Sequence, residues 1–483
     1  MPAKILIPLI VACGLFMENL DSTVLSTSLP DIAIDLHVQP ISLKLALTSY
    51  LLSLAVFVPI SGWVADKYGA RTVFMAAIAV FTGGSALCGF AHSLPEFVLY
   101  RVVQGLGGAM MVPVGRLVIL RSVAKSEMIS ALAWLTIPAL LGPVIGPPLG
   151  GFITTYLHWR WIFYINLPIG VLGLILSWRF IANVTELHTP PLDKTGFALS
   201  GLGLSALVFG LAVLGESNGS LMPGFLLVAA GIIVCAAYVW YARGNPNPVI
   251  DLMLLRIPTF RAGVVGASFF RIGVGAIPFL LPLMLQLSFG LTPFQSGMIT
   301  FAAAAGAVIM KATAAPIIRY FGFRNVLIVN ALISTAFMAA NALFTASTPH
   351  LVIAGMLLVG GFFRSLEFTA INALAYADIR QADMSRATSF ASVAQQVSLS
   401  LGVAIGALVL QAAQGLRGEA NPAQADFALA FWIVAGIGAI SAISFVRLPP
   451  GAGEELASVP AARTAVTPQA TAANPRAEAT APQ

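Results

Sequence analysis

Between residues 5 and 447 the chain breaks into apolar runs of about twenty residues joined by short polar connections, and that length leaves few folds open. About 20 residues of helix, at 1.5 Å each, cross a hydrocarbon layer roughly 30 Å thick. The runs lie at about 5–28, 44–64, 73–91, 95–120, 128–153, 160–181, 196–215, 221–242, 260–287, 293–316, 324–344, 350–376, 386–413 and 427–447. With 58% hydrophobic and only 9% charged residues, no soluble core could absorb this surface. In lipid every backbone polar group must be satisfied within the protein, and runs of this length do so as helices. The expectation is an all-α membrane protein of about fourteen transmembrane helices.

Fourteen crossings put both termini on one side. The connections containing Asp66-Lys67-Arg71, Arg121-Lys125, Arg179-Lys194, Arg243-Arg256-Arg261, Arg319-Arg324 and Arg380-Arg386, with Arg447, carry about fourteen Lys and Arg, against about three (Lys44, Arg160, Arg417) on the other side. This places both ends in the cytoplasm of a cell whose plasma, or bacterial inner, membrane holds the chain. The first residues resemble a signal peptide, but their apolar run contains Glu18 and Asp21 and leads straight into another span. The segment 448–483, rich in Ala, Pro, Thr and Glu, reads as a disordered cytoplasmic tail. The net charge of +6 needs no nucleic acid, because many of the basic groups fall in spans and short loops. Cys13, Cys88 and Cys235 have no paired spacing, the histidines have no ligand spacing, and there is no phosphate loop. Neither a metal, a cofactor nor an enzyme is expected.

Eight charges interrupt the spans: Glu18, Asp21, Arg101, Arg116, Arg271, Lys311, Arg364 and Glu367. A charge at mid-helix costs about 2.5–3.5 kcal/mol on insertion scales, so such residues face a protein interior or an aqueous path. Sliding the chain over itself by 253 residues brings Gly69 and Arg71 onto Gly322 and Arg324, and Gly107-Gly108 onto Gly360-Gly361. One shared offset implies two related six-helix halves, 1–181 and 260–447, around an extra helix pair within 182–259. Bundles of this kind hold their sites near the midplane, between the repeats.

Several segments carry a family resemblance. Gly62-Trp63-Val64-Ala65-Asp66-Lys67-Tyr68-Gly69-Ala70-Arg71 resembles the cytoplasmic-loop signature of the major facilitator superfamily, with Ala70 where a basic residue is usual. Gly62 and Gly69 would allow a tight helix exit and close packing, and Asp66 and Arg71 a charge clasp onto neighbouring helix ends. Leu99-Tyr100-Arg101-Val102-Val103-Gln104-Gly105-Leu106-Gly107-Gly108-Ala109 resembles that superfamily's fourth-span motif. The segment Gly142-Pro143-Val144-Ile145-Gly146-Pro147-Pro148-Leu149-Gly150-Gly151 is similar to the fifth-span signature of its antiporter branches. Leu20-Asp21-Ser22-Thr23-Val24-Leu25-Ser26-Thr27-Ser28-Leu29-Pro30-Asp31-Ile32-Ala33 resembles the first-span motif of the fourteen-helix drug:proton antiporter branch, with Ser26 at a position often Asn.

The resemblance implies the major facilitator superfamily fold and proton-coupled export of small molecules by alternating access, with the proton as coupling ion and the lipid bilayer as the other partner. It further implies a role for Arg101 in proton coupling; an outward-snorkelling Arg101 is the alternative. Glu18 and Asp21, three residues apart on one helix face, could carry protons, or Glu18 could simply pair with Arg271. Arg116, Arg271, Lys311, Arg364 and Glu367 are the candidate substrate-cavity charges; Arg116 and Lys311 could instead snorkel, and Arg364 and Glu367 could neutralise one another. The substrate is an amphipathic drug by resemblance, or a carboxylate such as citrate by the basic surplus among these charges. A non-transporting membrane sensor is a remoter reading. A monomer is expected.

Overall fold

In the computed structural model of the chain the described residues are 3–123, 127–183, 191–214, 221–419, 421–449 and 451–453. The expected tail from 454 onward and the loop lysine Lys125 lie outside them. Among the described residues thirteen helices are long and apolar enough to cross a membrane. They are α1 (Ile5–Thr27), α2 (Pro40–Tyr68), α3 (Ala70–Gly89), α4 (Leu94–Ser122), α6 (Trp161–Phe180), α7 (Lys194–Leu214), α8 (Met222–Gly244), α9 (Pro258–Ser288), α10 (Pro293–Phe321), α11 (Phe323–Leu343), α12 (His350–Ala375), α13 (Met384–Arg417) and α14 (Gln424–Val446). A further helix of span length, α5 (Met128–Tyr156), completes the order expected from the apolar runs. The chain is an all-α, multi-pass membrane protein.

Polar residues at the loops set where helices begin. The Ser93 hydroxyl accepts from the Glu96 amide at the start of α4, with Pro95 in the first turn. At the start of α10, Thr292 and Gln295 form a reciprocal capping box around Pro293. In α9, π-helical segments Ala262–Gly266 and Met284–Ser288 flank the α-helical stretch Ala267–Leu283. Such segments re-aim side chains and are frequent at functional sites.

The two turns related by the 253-residue offset have the same backbone. Gly69 sits at φ 90°, ψ 134° between α2 and α3, and Gly322 at φ 75°, ψ 154° between α10 and α11. Both conformations lie where side chains are disfavoured. In each case an arginine two residues on grips a distant helix end: Arg71 donates to the Ile181 carbonyl after α6 at 3.4 Å, and Arg324 to the Val446 carbonyl of α14 at 2.9 Å. Asp66 completes the first clasp by accepting from Arg121 at 2.7 Å. Gly62 departs from expectation: a Cβ there would meet nothing within 4 Å, so it permits no close approach. Replacing Gly322 by Ala should cost about 1–3 kcal/mol of strain. Gly69→Ala should cost more, since its Cβ would also overlap Asn183, and denaturation of the two variants in detergent would rank them.

α1 packs along α5, α3 along α4, α9 along α13 and α10 along α12, while α7 and α8 pack closely on each other. α5 lies against α10 and α2 against α13, which joins the N- and C-terminal helices. Hydrogen bonds across this junction run from Gln286 to the Thr27 carbonyl at 2.9 Å, from the Phe294 amide to Thr155 at 3.0 Å, and from Lys44 to Gln411 at 2.7 Å. All lie at the end remote from the Gly69 and Gly322 turns. Lys44, read from the sequence as a loop residue, is buried at the start of α2 and held by α13.

Candidate functional site

Asp21 on α1 and Arg101 on α4 face each other inside the N-terminal helices. Arg101 Nη1 donates to Asp21 Oδ2 at 2.6 Å and to Gln104 Oε1 at 2.7 Å, and Gln104 Nε2 donates to Asp21 Oδ1 at 2.8 Å. Arg101 and Gln104 are three residues apart on one helix, so α4 offers a donor pair to a single carboxylate. Asp21 is 3% exposed and Arg101 and Gln104 not at all. The outward-snorkelling alternative for Arg101 is therefore overturned: its guanidinium turns inward because a carboxylate and an amide wait there.

Neutral groups complete the shell. The Tyr50 ring lies under the guanidinium, 4.2 Å from its centre, and Arg101 Nε reaches the Ala46 carbonyl at 3.4 Å. Asn166 on α6 donates to Ser85 at 3.0 Å and reaches Asp21 Oδ1 at 3.5 Å, while Ser85 donates to the Phe163 carbonyl at 3.0 Å. Helices α1, α2, α3, α4 and α6 thus converge on one carboxylate. A buried ion pair survives desolvation only when further hydrogen bonds satisfy both partners. Here Arg101 Nη2 and the Tyr50 hydroxyl remain without a partner, so the network has spare donors. Tyr50, Ser85 and Asn166 were not singled out as candidates from the sequence. Their signal is faint, each being a lone polar side chain in an apolar run.

Glu18 lies one turn from Asp21 but outside this network. Its Oε2 is buried without a hydrogen-bond partner among the described residues, and the charges that act on it are those of Arg116 and Asp21. It makes no ion pair with Arg271, contrary to one expectation. Arg116 is exposed, and its charge acts on both Glu18 of α1 and Tyr376 just after α12.

The remaining candidate charges do not gather in one cavity. Arg271, 1% exposed, donates to the Gly263 carbonyl and to Asn372, both at 3.2 Å. Lys311 is exposed and donates to Thr369 at 3.0 Å, tying α10 to α12. Glu367 is fully buried and accepts from Asn330 on α11 at 2.7 Å. Arg364 does not pair with it, although the two are one turn apart: Glu367 is turned toward α11, while Arg364 lines a cleft among α9, α10, α11 and α12. Arg271 and Glu367, enclosed by helices, are thus corrected from open cavity-lining residues to buried interior ones.

The fifth-span motif makes the junctions. A Cβ on Gly142 or Gly146 would run into Asn19 or Thr23 of α1, so these glycines let α5 lie against the helix that carries Asp21. Gly151 instead meets the Pro293 carbonyl and Phe294 of α10, across the junction. Pro143 and Pro147 lie in the same helix, and a Cβ on Gly297 of α10 would strike the Pro147 carbonyl.

Comparison with known proteins accords with this arrangement. The Major Facilitator Superfamily profile matches residues 11–241 and 263–477. A protein of Enterobacter sp. (strain 638) named "Putative multidrug resistance protein MdtD" is 36% identical over 446 residues, covering 91% of this chain and 94% of its own. A Klebsiella pneumoniae protein of the same name is 36% identical over 451 residues, with 92% and 94% covered. Among solved structures, a D-xylose-proton symporter superposes with a TM-score of 0.65 at 16% identity over 92% of this chain and 98% of its own. The POT family transporter PepTSo gives 0.67 at 14% identity, over 91% and 97%. At those identities the structures speak for the fold alone.

Proposed function

The chain belongs to the major facilitator superfamily and is a membrane transporter, and from that premise we propose that it exports amphipathic drugs in exchange for protons. The reading takes it to lie in the plasma membrane with both ends cytoplasmic, on the strength of the Lys and Arg asymmetry of its loops. The observation that carries the coupling is the Asp21–Arg101–Gln104 cluster, a buried carboxylate whose charge is balanced by one guanidinium from another helix.

In this mechanism Asp21 is the proton carrier. With Asp21 ionised, α1 and α4 are bound by a charge-assisted pair. A proton on Asp21 removes that attraction and leaves the Arg101 charge to its neutral neighbours, so protonation and helix arrangement are thermodynamically linked. Glu18, near Arg116 at the edge of the cluster, is the second carboxylate on the path, and substrate binds between the two sets of helices. The named relatives favour a drug over a carboxylate such as citrate as cargo.

Proteoliposomes with an imposed proton gradient test this. Lipophilic cationic drugs should collapse the gradient with the wild-type protein and not with Asp21→Asn, and citrate should leave it intact. Collapse driven by citrate and not by drugs would overturn the assignment.

A further inference from the structure

Every side chain hydrogen-bonded to Asp21 among the described residues meets it with an N–H. Arg101 Nη1 and Gln104 Nε2 donate to its two oxygens at 2.6 and 2.8 Å, and Asn166 Nδ2 reaches Oδ1 at 3.5 Å. Such a shell suits a carboxylate and not a carboxylic acid, whose O–H needs an acceptor. A guanidinium never accepts. Gln104 is held in place, because its Oε1 already accepts from Arg101 at 2.7 Å and from the Cys88 thiol at 3.8 Å. Asn166 differs. It is fully buried where α6 restarts after Ile165, and its Oδ1 has no hydrogen-bond partner among the described residues. Its Nδ2 donates at 3.0 Å to Ser85, a hydroxyl that can donate as well as accept. A buried acceptor left idle is costly, and turning this amide about its Cβ–Cγ bond faces that oxygen toward Asp21.

We propose that Asn166 is the positioning residue that answers the proton on Asp21, its amide presenting Nδ2 to the carboxylate and, once turned over, Oδ1 to the protonated acid. The inference rests on Asp21 being the proton carrier. Only the proton changes its bonding: it joins an oxygen of Asp21, and the new O–H donates to Asn166 Oδ1. The Ser85 hydroxyl, turning away from the Phe163 carbonyl, donates to the same oxygen. Because Asn166 stands on α6, the proton that frees α1 from α4 ties it to α6 instead. The titratable and charged groups around Asp21 are Glu18 on its own helix, Tyr50 on α2, Cys88 on α3 and Arg101 on α4, with Arg116 beyond Glu18. The sequence of α5 holds no charged residue, and that of α6 only Arg179, in its last turn. Of these groups Arg101 alone hydrogen-bonds to Asp21, and it can only donate.

Infrared difference spectra of the full-length protein in liposomes, recorded as the buffer is acidified, test this. Acid should raise a carboxylic-acid C=O band in the wild type that Asp21→Asn lacks. In Asn166→Leu the proton concentration that half-forms this band should rise about tenfold, the loss of one hydrogen bond made only by the acid. The sign decides the matter. A residue that merely donated to the carboxylate would, once removed, let the band form at a lower proton concentration. Asn166→Thr, whose hydroxyl can accept, should stay within about threefold of the wild type. Should Asn166→Leu fail to fold, Asn166→Val replaces it, since it matches the threonine variant in shape and lacks the accepting oxygen. A proton concentration that is unchanged or lower in the apolar variants would overturn the role of Asn166 and leave Asp21 as the carrier. A band that persists in Asp21→Asn would overturn Asp21 as the carrier, and this inference with it.

Discussion

Arg101→Gln should destabilise the protein by about 3–5 kcal/mol, because it strands the Asp21 carboxylate among helices that exclude water. Asp21→Asn should cost a similar amount by stranding the guanidinium. The double variant Asp21→Asn/Arg101→Gln should recover much of the loss, since two neutral amides can hydrogen-bond to each other and to Gln104 where an unpaired charge cannot. Chemical denaturation in detergent would give the three values. Strictly additive losses would mean that the pair observed at 2.6 Å contributes no coupling. Stability and transport should separate here: the double variant folds, and neither it nor the single variants couples drug movement to protons.

The second large effect is expected at Gly151. Its missing Cβ is what lets α5 meet the Pro293 carbonyl and Phe294 of α10, and that contact exists only while the junction between the two sets of helices is closed. Overpacking costs about 1–3 kcal/mol, which at the upper end moves a two-state equilibrium by roughly a hundredfold. Gly151→Val should therefore hold the junction open. A cysteine at Phe294 would then react with a membrane-impermeant maleimide at least about tenfold faster than in the Gly151 parent, and transport would fall as the cycle loses one of its states. Gly146→Val makes the contrasting control. Its clash is with Thr23 of α1, within the N-terminal helices, so it should lower stability without opening the junction.

What could be read in advance follows physical lines. Run length against bilayer thickness is a strong constraint, and the helices follow the apolar runs closely, with ends shifted where caps such as Ser93 and Thr292 stand. The turns at Gly69 and Gly322 were legible as a repeat because backbone conformation demands glycine at both. Partner choice was less so. Arg364 and Glu367 have the spacing of a helix pair, yet Asn330 on the neighbouring helix captures the carboxylate, and nothing in a linear pattern says which side α11 lies on. Lys44 looks like a loop residue because it follows a polar stretch, and only the packing of α13 buries it. Tyr50, Ser85 and Asn166 are neutral, so no charge in the apolar run announces them.

The central claim is that the Asp21–Arg101 pair couples drug movement to proton movement. Two rates in the same proteoliposomes test it most directly: drug accumulation driven by a proton gradient, and drug-for-drug exchange without one, each for wild type and Asp21→Asn. The account predicts that Asp21→Asn keeps exchange within a few-fold while gradient-driven accumulation falls to background. Accumulation that survives the substitution at a rate near wild type would contradict it and move the proton to another group, with Glu18 the next to be replaced.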